Sequence, residues 1–158
     1  MGAMNTEVSL EIFSQGPQTT LDLASKIANN LRGGEIFELI SDLGGGKTTF
    51  VKGIVIELGG DEATSPSFTI HNIYKSKKFE IHHYDFYFLY DAGVVGAELS
   101  EVIFLPNTVT FIEWGNVVHE SLPATRVVVT IEQQDGEARL FRFAFPSKLQ
   151  YIFEGVSL

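Results

Sequence analysis

The chain contains no cysteine among its 158 residues. That excludes disulfides, thiolate nucleophiles and Cys-ligated zinc, and it fits a cytoplasmic protein. Positive charge is scarce: 11 Lys and Arg stand against 20 Asp and Glu, for a formal net charge of −9. A tight, autonomous grip on DNA or RNA needs a basic surface, so direct nucleic-acid binding is disfavoured. Long apolar runs are also missing, which leaves no candidate membrane span. No basic stretch followed by an apolar one opens the chain, so no secretory signal is expected. The leading "MGAM" reads as an expression scar over 1–3 ahead of Met4. What remains is an apolar content of 44%, enough for a real core in one domain over 1–158.

Periodicity divides the chain into alternating elements. "VSLEIF" (8–13) alternates as a strand. "PQTTLDLASKIANNLRGG" (17–34) carries Leu21, Leu23, Ala24, Ile27, Ala28 and Leu31 at helical spacing. Thr19 or Thr20 is a candidate cap, and Gly33 and Gly34 a stop signal. "EIFELIS" (35–41) has the length and apolarity of a buried strand. "KTTFVKGIVIELGG" (47–60) reads as a helix with Phe50, Val51, Ile54, Val55 and Leu58 on its apolar stripe. "FTIHNIY" (68–74) and "FEIHHYDFY" (79–87) flank a short lysine-rich turn and predict an antiparallel hairpin. A less regular region runs from about 89 to 108, before the strand "VTFIEW" (109–114). "TRVVVTIEQ" and "ARLFRFAF" surround Asp135 and Gly136, a hairpin-turn pair, and "SKLQYIFEGV" predicts a short final helix. The sum is α/β in a single domain, and the glycine segment within 41–50 makes it P-loop NTPase-like. Its mixed sheet is parallel near the glycines, antiparallel toward the end, and flanked by helices.

The segment "SDLGGGKTTF" (41–50) lies between the buried strand and the second helix. Three consecutive glycines are conformationally expensive. They make sense where successive backbone N–H groups must close around phosphate oxygens. Lys47 would then reach the terminal phosphates, and the Thr48 hydroxyl would face Mg²⁺. The usual spacing is G-x-x-x-x-G-K-[ST], and Ser41 stands at its first position.

A nucleotide site of this kind also needs carboxylates. Asp85 and Glu113 sit at the ends of apolar strands, where an acid is unfavourable unless something binds it. His82 and His83 are adjacent strand residues and point to opposite faces, so they cannot easily share a metal. His83 shares a face with Asp85 and is a candidate support for it. Trp114 fits either the core or a cover over the nucleotide. The four arginines, Arg32, Arg126, Arg139 and Arg142, lie in no motif.

Four segments in order and at characteristic spacing, "SDLGGGKTTFVKG", "TSPSFTI", "HHYDFY" and "FIEWGNVVHESLP", make the chain resemble the TsaE family. These are the small P-loop ATPases of bacterial tRNA threonylcarbamoyladenosine biosynthesis. The resemblance runs from about residue 14 to 145. It implies that Gly44, Gly45, Gly46, Lys47, Thr48 and Thr49 bind ATP phosphates. It puts Thr48, Asp85 and Glu113 at the magnesium-associated positions and Thr20 beside the base. It makes segment 65–68 a switch near the phosphates. It implies work with TsaB and TsaD, the latter modifying adenosine 37 of tRNA, so that tRNA is met only through the complex. Ser41, Ser67 and Phe88 depart from the family pattern. Hydrolysis by such a site rests on positioning and electrostatics, with Lys47, Asp85 and Glu113 as its working groups. A small P-loop kinase and a non-catalytic nucleotide-binding adaptor remain as rival readings.

Overall fold

The computed structural model describes residues 6–42, 44–61, 71–87 and 93–157. Among the described residues, seven strands form one sheet: β1 (Glu7–Ser14), β2 (Ile36–Ile40), β3 (His71–Lys75), β4 (Glu80–Asp85), β5 (Thr108–Glu113), β6 (Val127–Gln133) and β7 (Arg139–Pro146). Their spatial order is β1-β7-β6-β2-β5-β4-β3. β2 runs parallel to both β5 and β6, and β4 runs parallel to β5. β1, β6 and β7 pair antiparallel, as do β3 and β4. The sheet is thus mixed in the way the sequence predicts.

The parallel centre is buried on both faces. On one face, α1 (Pro17–Ala28), α2 (Lys47–Glu57) and a 3₁₀ segment (Ser147–Phe153) cover the larger core. Phe50 of α2 stands in a nest of rings, with centroids 6.4 Å from Phe37, 6.4 Å from Phe111 and 5.8 Å from Phe141. α1 and α2 pack closely enough that a Cβ at Gly53 would come within 2.6 Å of the Ala24 Cβ. On the other face, Ile36, Tyr84 and Ile112 meet Leu99 of α3 (Gly93–Val102) and Ile103 just past its end, with Val118 and Leu122 from the segment after β5.

Helix ends depart from expectation in instructive ways. α1 starts at Gly16 and Pro17 with no side-chain cap, so neither Thr19 nor Thr20 caps it. Proline suits the first helical position because its missing N–H would find no partner there. The same helix stops at Ala28, five residues before Gly33, because Asn29 to Leu31 turn in 3₁₀ fashion. α2 ends as its glycines predict. The Gly60 N–H donates to Val55 O at 2.9 Å and the Gly59 N–H to Ile56 O at 3.0 Å, with Gly59 at φ +77°. This is the paired-bond C-terminal motif that glycine favours. α3 falls in the stretch that sequence periodicity leaves irregular.

Topology gathers one end of the molecule. The carboxyl ends of β1, β2, β4, β5 and β6 and the start of β7 all lie along the same sheet edge. In open α/β sheets, ligands bind outside the carboxyl ends of the parallel strands.

Candidate functional site

The loop after β2 delivers the chain from a buried strand to the first turn of α2. Gly44 and Gly46 have φ of +77° and +103°, angles that few other residues adopt. Gly45 is required for a different reason: a Cβ there would lie 2.3 Å from Ser41 Oγ and 2.9 Å from Asp42 O. Among the described residues, no side chain caps α2. Its first-turn N–H groups and the positive end of its dipole therefore face the loop, the arrangement that attracts anions. Thr48 and Thr49 sit half-buried in that first turn.

Lys47 is buried, and its ammonium donates to Ser41 O and Ser41 Oγ at 3.1 Å each and to Asp42 O at 3.4 Å. The loop's own oxygens hold the lysine. Burial pushes its pKa below the ordinary lysine value, and the charges of Glu113, Asp85 and Asp42 oppose that shift. Both strand-end acids therefore lie within electrostatic reach of the loop lysine. Ser41 takes part in this packing, with its hydroxyl donating to Asp42 O at 2.9 Å.

The acids are brought together by register. Asp85 is the ladder partner of Glu113 across β4 and β5, so their side chains leave the same face. Asp85 is half-buried and accepts the Tyr87 N–H at 3.0 Å, which turns the chain out of β4. Burial raises its pKa; the Tyr87 N–H, His83 and Lys47 act against that rise, and Glu113 adds to it. Glu113 is buried, and its Oε2 lies 2.6 Å from His83 Nε2. His83 therefore supports Glu113 rather than Asp85. The alternation of β4 puts His83 on the acid face, but the partner follows from the β4–β5 register, which strand periodicity alone does not reveal. His82 faces the other side and bonds Glu80 at 2.6 Å and His71 at 2.7 Å.

Trp114 follows directly. It is the one non-glycine residue with positive φ among the described residues, at +58°. Such backbone strain persists where the surroundings enforce it. Its ring centroid lies 4.8 Å from the Lys47 ammonium and 4.9 Å from the Tyr87 ring, so it covers the lysine rather than joining the deep core. Thr20 is buried, with its hydroxyl 2.8 Å from Ser14 Oγ at the same sheet edge. Segment 65–68 and Phe88 lie outside the described residues.

Sequence reasoning missed one further residue here. Arg139, the first residue of β7, extends Nη2 to within 3.5 Å of Gly44 O. No motif marks it; the β6–β7 hairpin carries it to the loop.

The family model described as threonylcarbamoyl adenosine biosynthesis protein TsaE matches residues 14–141. The chain belongs to the TsaE family. A protein of Rickettsia prowazekii named tRNA threonylcarbamoyladenosine biosynthesis protein TsaE is 32% identical to it over 123 residues, covering 77% of this chain and 85% of that one. The Bacillus subtilis protein of the same name is 32% identical over 128 residues, 80% of each. The crystal structure of Bacillus subtilis YdiB superposes with a TM-score of 0.74 at 25% identity, over 98% of this chain and 97% of that one. This TsaE-family chain thus keeps the family fold along almost its whole length. Among the described residues, no helix is long and apolar enough to cross a membrane.

The donor set suits Mg²⁺ bound together with a nucleotide. Among the described residues, no group of three His, Asp or Glu side chains is arranged to hold a metal unaided. Mg²⁺ seldom needs one: it keeps several waters and takes one or two carboxylates beside substrate phosphates. Asp85, a half-buried carboxylate, and the Thr48 hydroxyl in the first turn of α2 are donors of the kinds such an ion takes. Glu113 has one oxygen bonded to His83.

Proposed function

We propose that this chain is a Mg²⁺-dependent, cytoplasmic ATPase that acts with TsaB and TsaD. In this role it supports repeated threonylcarbamoylation of adenosine 37 in tRNA. The observation that carries the reading is the convergence on one lysine. An uncapped helix start, a glycine loop and two register-paired acids all surround Lys47. The TsaE family name supports the tRNA-modification role.

Each residue then has a part. The N–H groups of Gly44, Gly45, Gly46, Lys47, Thr48 and Thr49 hold the phosphates. Lys47 leaves the oxygens of Ser41 and Asp42 and turns to the terminal phosphates, where it stabilises charge in the transition state. Thr48 and Asp85 would hold Mg²⁺, and the ion would supply neutralisation of the phosphate charge. Glu113, oriented by His83, aligns the attacking water; its second oxygen is also within the metal-associated set. Water adds to the terminal phosphorus, the bond to the bridging oxygen breaks, and ADP and phosphate leave. Trp114 covers the site. Thr20 borders the base through the start of α1.

The net charge of −9 argues that tRNA is met through the partner proteins. The test is ATP turnover by the purified chain, alone and with the TsaB–TsaD pair, with Lys47→Ala as the control for contaminating activity. Turnover that rises with the pair and falls at least about tenfold in the Lys47 variant, equivalent to about 1.4 kcal/mol, is expected. ADP formation that instead requires a small acceptor would favour a kinase. Binding without turnover, even with both partners, would favour an adaptor.

A further inference from the structure

We propose that Arg139 is a second nucleotide-binding cation of this chain. Its guanidinium meets the phosphates of bound nucleotide from the side of the loop opposite the acids. The inference rests on the nucleotide-binding reading above and adds a residue to it.

Three observations carry it. The first is placement. β6 pairs with β2 up to Ile40 and Thr130, then continues to Gln133 before the turn. At about 3.3 Å per residue, those last three positions carry the hairpin about 10 Å beyond β2, over the phosphate loop. Arg139 pairs there with Gln133 on one side and Ser14 on the other. Its Nη2 lies 3.5 Å from Gly44 O, and its Cγ would be 4.0 Å from a Cβ on Gly46.

The second observation is partnering. Arg126 pairs with Glu38 at 3.0 Å, and Arg142 pairs with Glu11 at 3.1 Å. Arg32 lies over the Tyr151 ring at 3.9 Å. Among the described residues, no carboxylate lies within ion-pair distance of Arg139. Its protein acceptors are backbone carbonyls: Ala138 O at 2.8 Å, Gly136 O at 3.1 Å and Gly44 O. Among the described residues, its buried Nε has no acceptor. A buried donor normally finds a partner. A guanidinium that leaves one unmet has a stronger acceptor to gain, and phosphate oxygens match its planar fork.

The third is the charge pattern of the edge. Asp42, Asp85 and Glu113 all act on Lys47, so the acid side of the loop repels a polyphosphate. A cation on the glycine side offsets that repulsion. Because Arg139 reaches the Gly44 end of the loop rather than Lys47, its contact serves di- and triphosphate alike. It should therefore affect binding more than the chemical step.

The test is titration of ATP, ADP and adenosine into the wild type, Arg139→Gln and Arg139→Lys, with melting curves of each protein free of nucleotide. Steady-state turnover with the TsaB–TsaD pair accompanies them. Arg139→Gln should weaken ATP and ADP about tenfold, raise KM by a similar factor, change kcat less than about threefold and leave adenosine binding unaltered. Arg139→Lys should recover part of the loss, and the salt dependence of ADP binding should fall in Arg139→Gln. Equal ADP affinity in wild type and Arg139→Gln would overturn the assignment. So would a loss that appears equally with adenosine, tracks a lower melting temperature and is not relieved by lysine, since that marks a residue that only props the loop. A wild type that binds no nucleotide would overturn this inference and the function above together; a wild type that binds, beside an unaffected variant, overturns the arginine alone.

Discussion

His83 offers the sharpest test of how the buried acid is held. Its side chain is fully buried, that of Glu113 is 4% exposed, and 2.6 Å separates Nε2 from Oε2. Asn at this position keeps an amide where Nδ1 stands but cannot reach Glu113; Gln carries a donor close to where Nε2 stands. Removing a hydrogen bond to a buried charged group costs about 1.5–3 kcal/mol. For a chain of this size, His83→Asn should thus lower Tm by roughly 3–12 °C, while His83→Gln should lose less than half as much. If the same bond orients Glu113 for water, His83→Asn should also slow ATP turnover by about tenfold to a hundredfold. A cycle with Glu113→Gln separates the two partners: in that background the His83→Asn loss should shrink by about 1–2 kcal/mol. Urea melts give the stability arm, and steady-state hydrolysis with the TsaB–TsaD pair gives the other. Equal losses in Asn and Gln variants with no coupling to Glu113 would reduce His83 to a core residue and refute the reasoning.

Two further outcomes follow from neighbouring groups. Ser41→Gly removes one of the oxygens that hold Lys47 against the loop. Nucleotide affinity should rise about twofold to tenfold, the scale of one hydrogen bond of about 0.5–1.5 kcal/mol, and a weaker Kd for ADP would contradict this. His71 has its pKa pushed down to about 4, by burial first and then by His82, against the opposing charge of Glu80. The unfolded chain therefore takes up this proton first as pH falls. The stability tied to a neutral His71 is full above about pH 6.5 and is lost progressively toward pH 4. Solvent contact at this partly exposed ring limits the effect to about 1–2 kcal/mol. His71→Asn should flatten the slope of denaturation midpoint against pH in that window, and an unchanged slope would remove His71 as its source.

What could be read from residues alone was local. The glycines, Lys47 and the strand–loop–helix order lie within one continuous stretch, and their conformational demands are visible there. Asp85 and Glu113 stood out because an acid at the end of an apolar strand requires a reason. The pairing of His83 with Glu113 was not legible, since it needs the β4–β5 register. Arg139 was invisible for the same reason: only the overhang of β6 and β7 brings it to the loop. α3 was missed because "GVVGAELSEV" combines two glycines and paired valines, all weak helix formers. Packing of Leu99 and Ile103 against the sheet supplies what propensity lacks. The start of α1 at Pro17 matches the sequence reading, whereas the cap does not. Thr20 looked like a cap, yet its hydroxyl is bonded to Ser14 across the turn that Gly16 and Pro17 make.

The charge balance around the loop leads to a result with opposite signs in two conditions. Lys47 and Arg139 face Asp42, Asp85 and Glu113, so the described site carries more acid than base before a nucleotide arrives. A triphosphate brings several more negative charges. Without a divalent cation, Asp85 and Glu113 repel it across a partly desolvated space where screening is weak. If Asp85 holds Mg²⁺ as proposed, the ion turns that repulsion into attraction. Asp85→Asn should therefore tighten ATP binding in EDTA, by about twofold to fivefold, and weaken it in excess Mg²⁺ by about tenfold or more. The same titration performed in the two buffers reads both signs on one protein. The Asn amide still offers an oxygen to the Tyr87 N–H that Asp85 now accepts, so the turn after β4 should survive the change. Weaker binding in both buffers would mean that Asp85 shapes the site without touching the metal. Unchanged binding in both would remove it from the site altogether and leave Glu113 and Asp42 as the acids acting there.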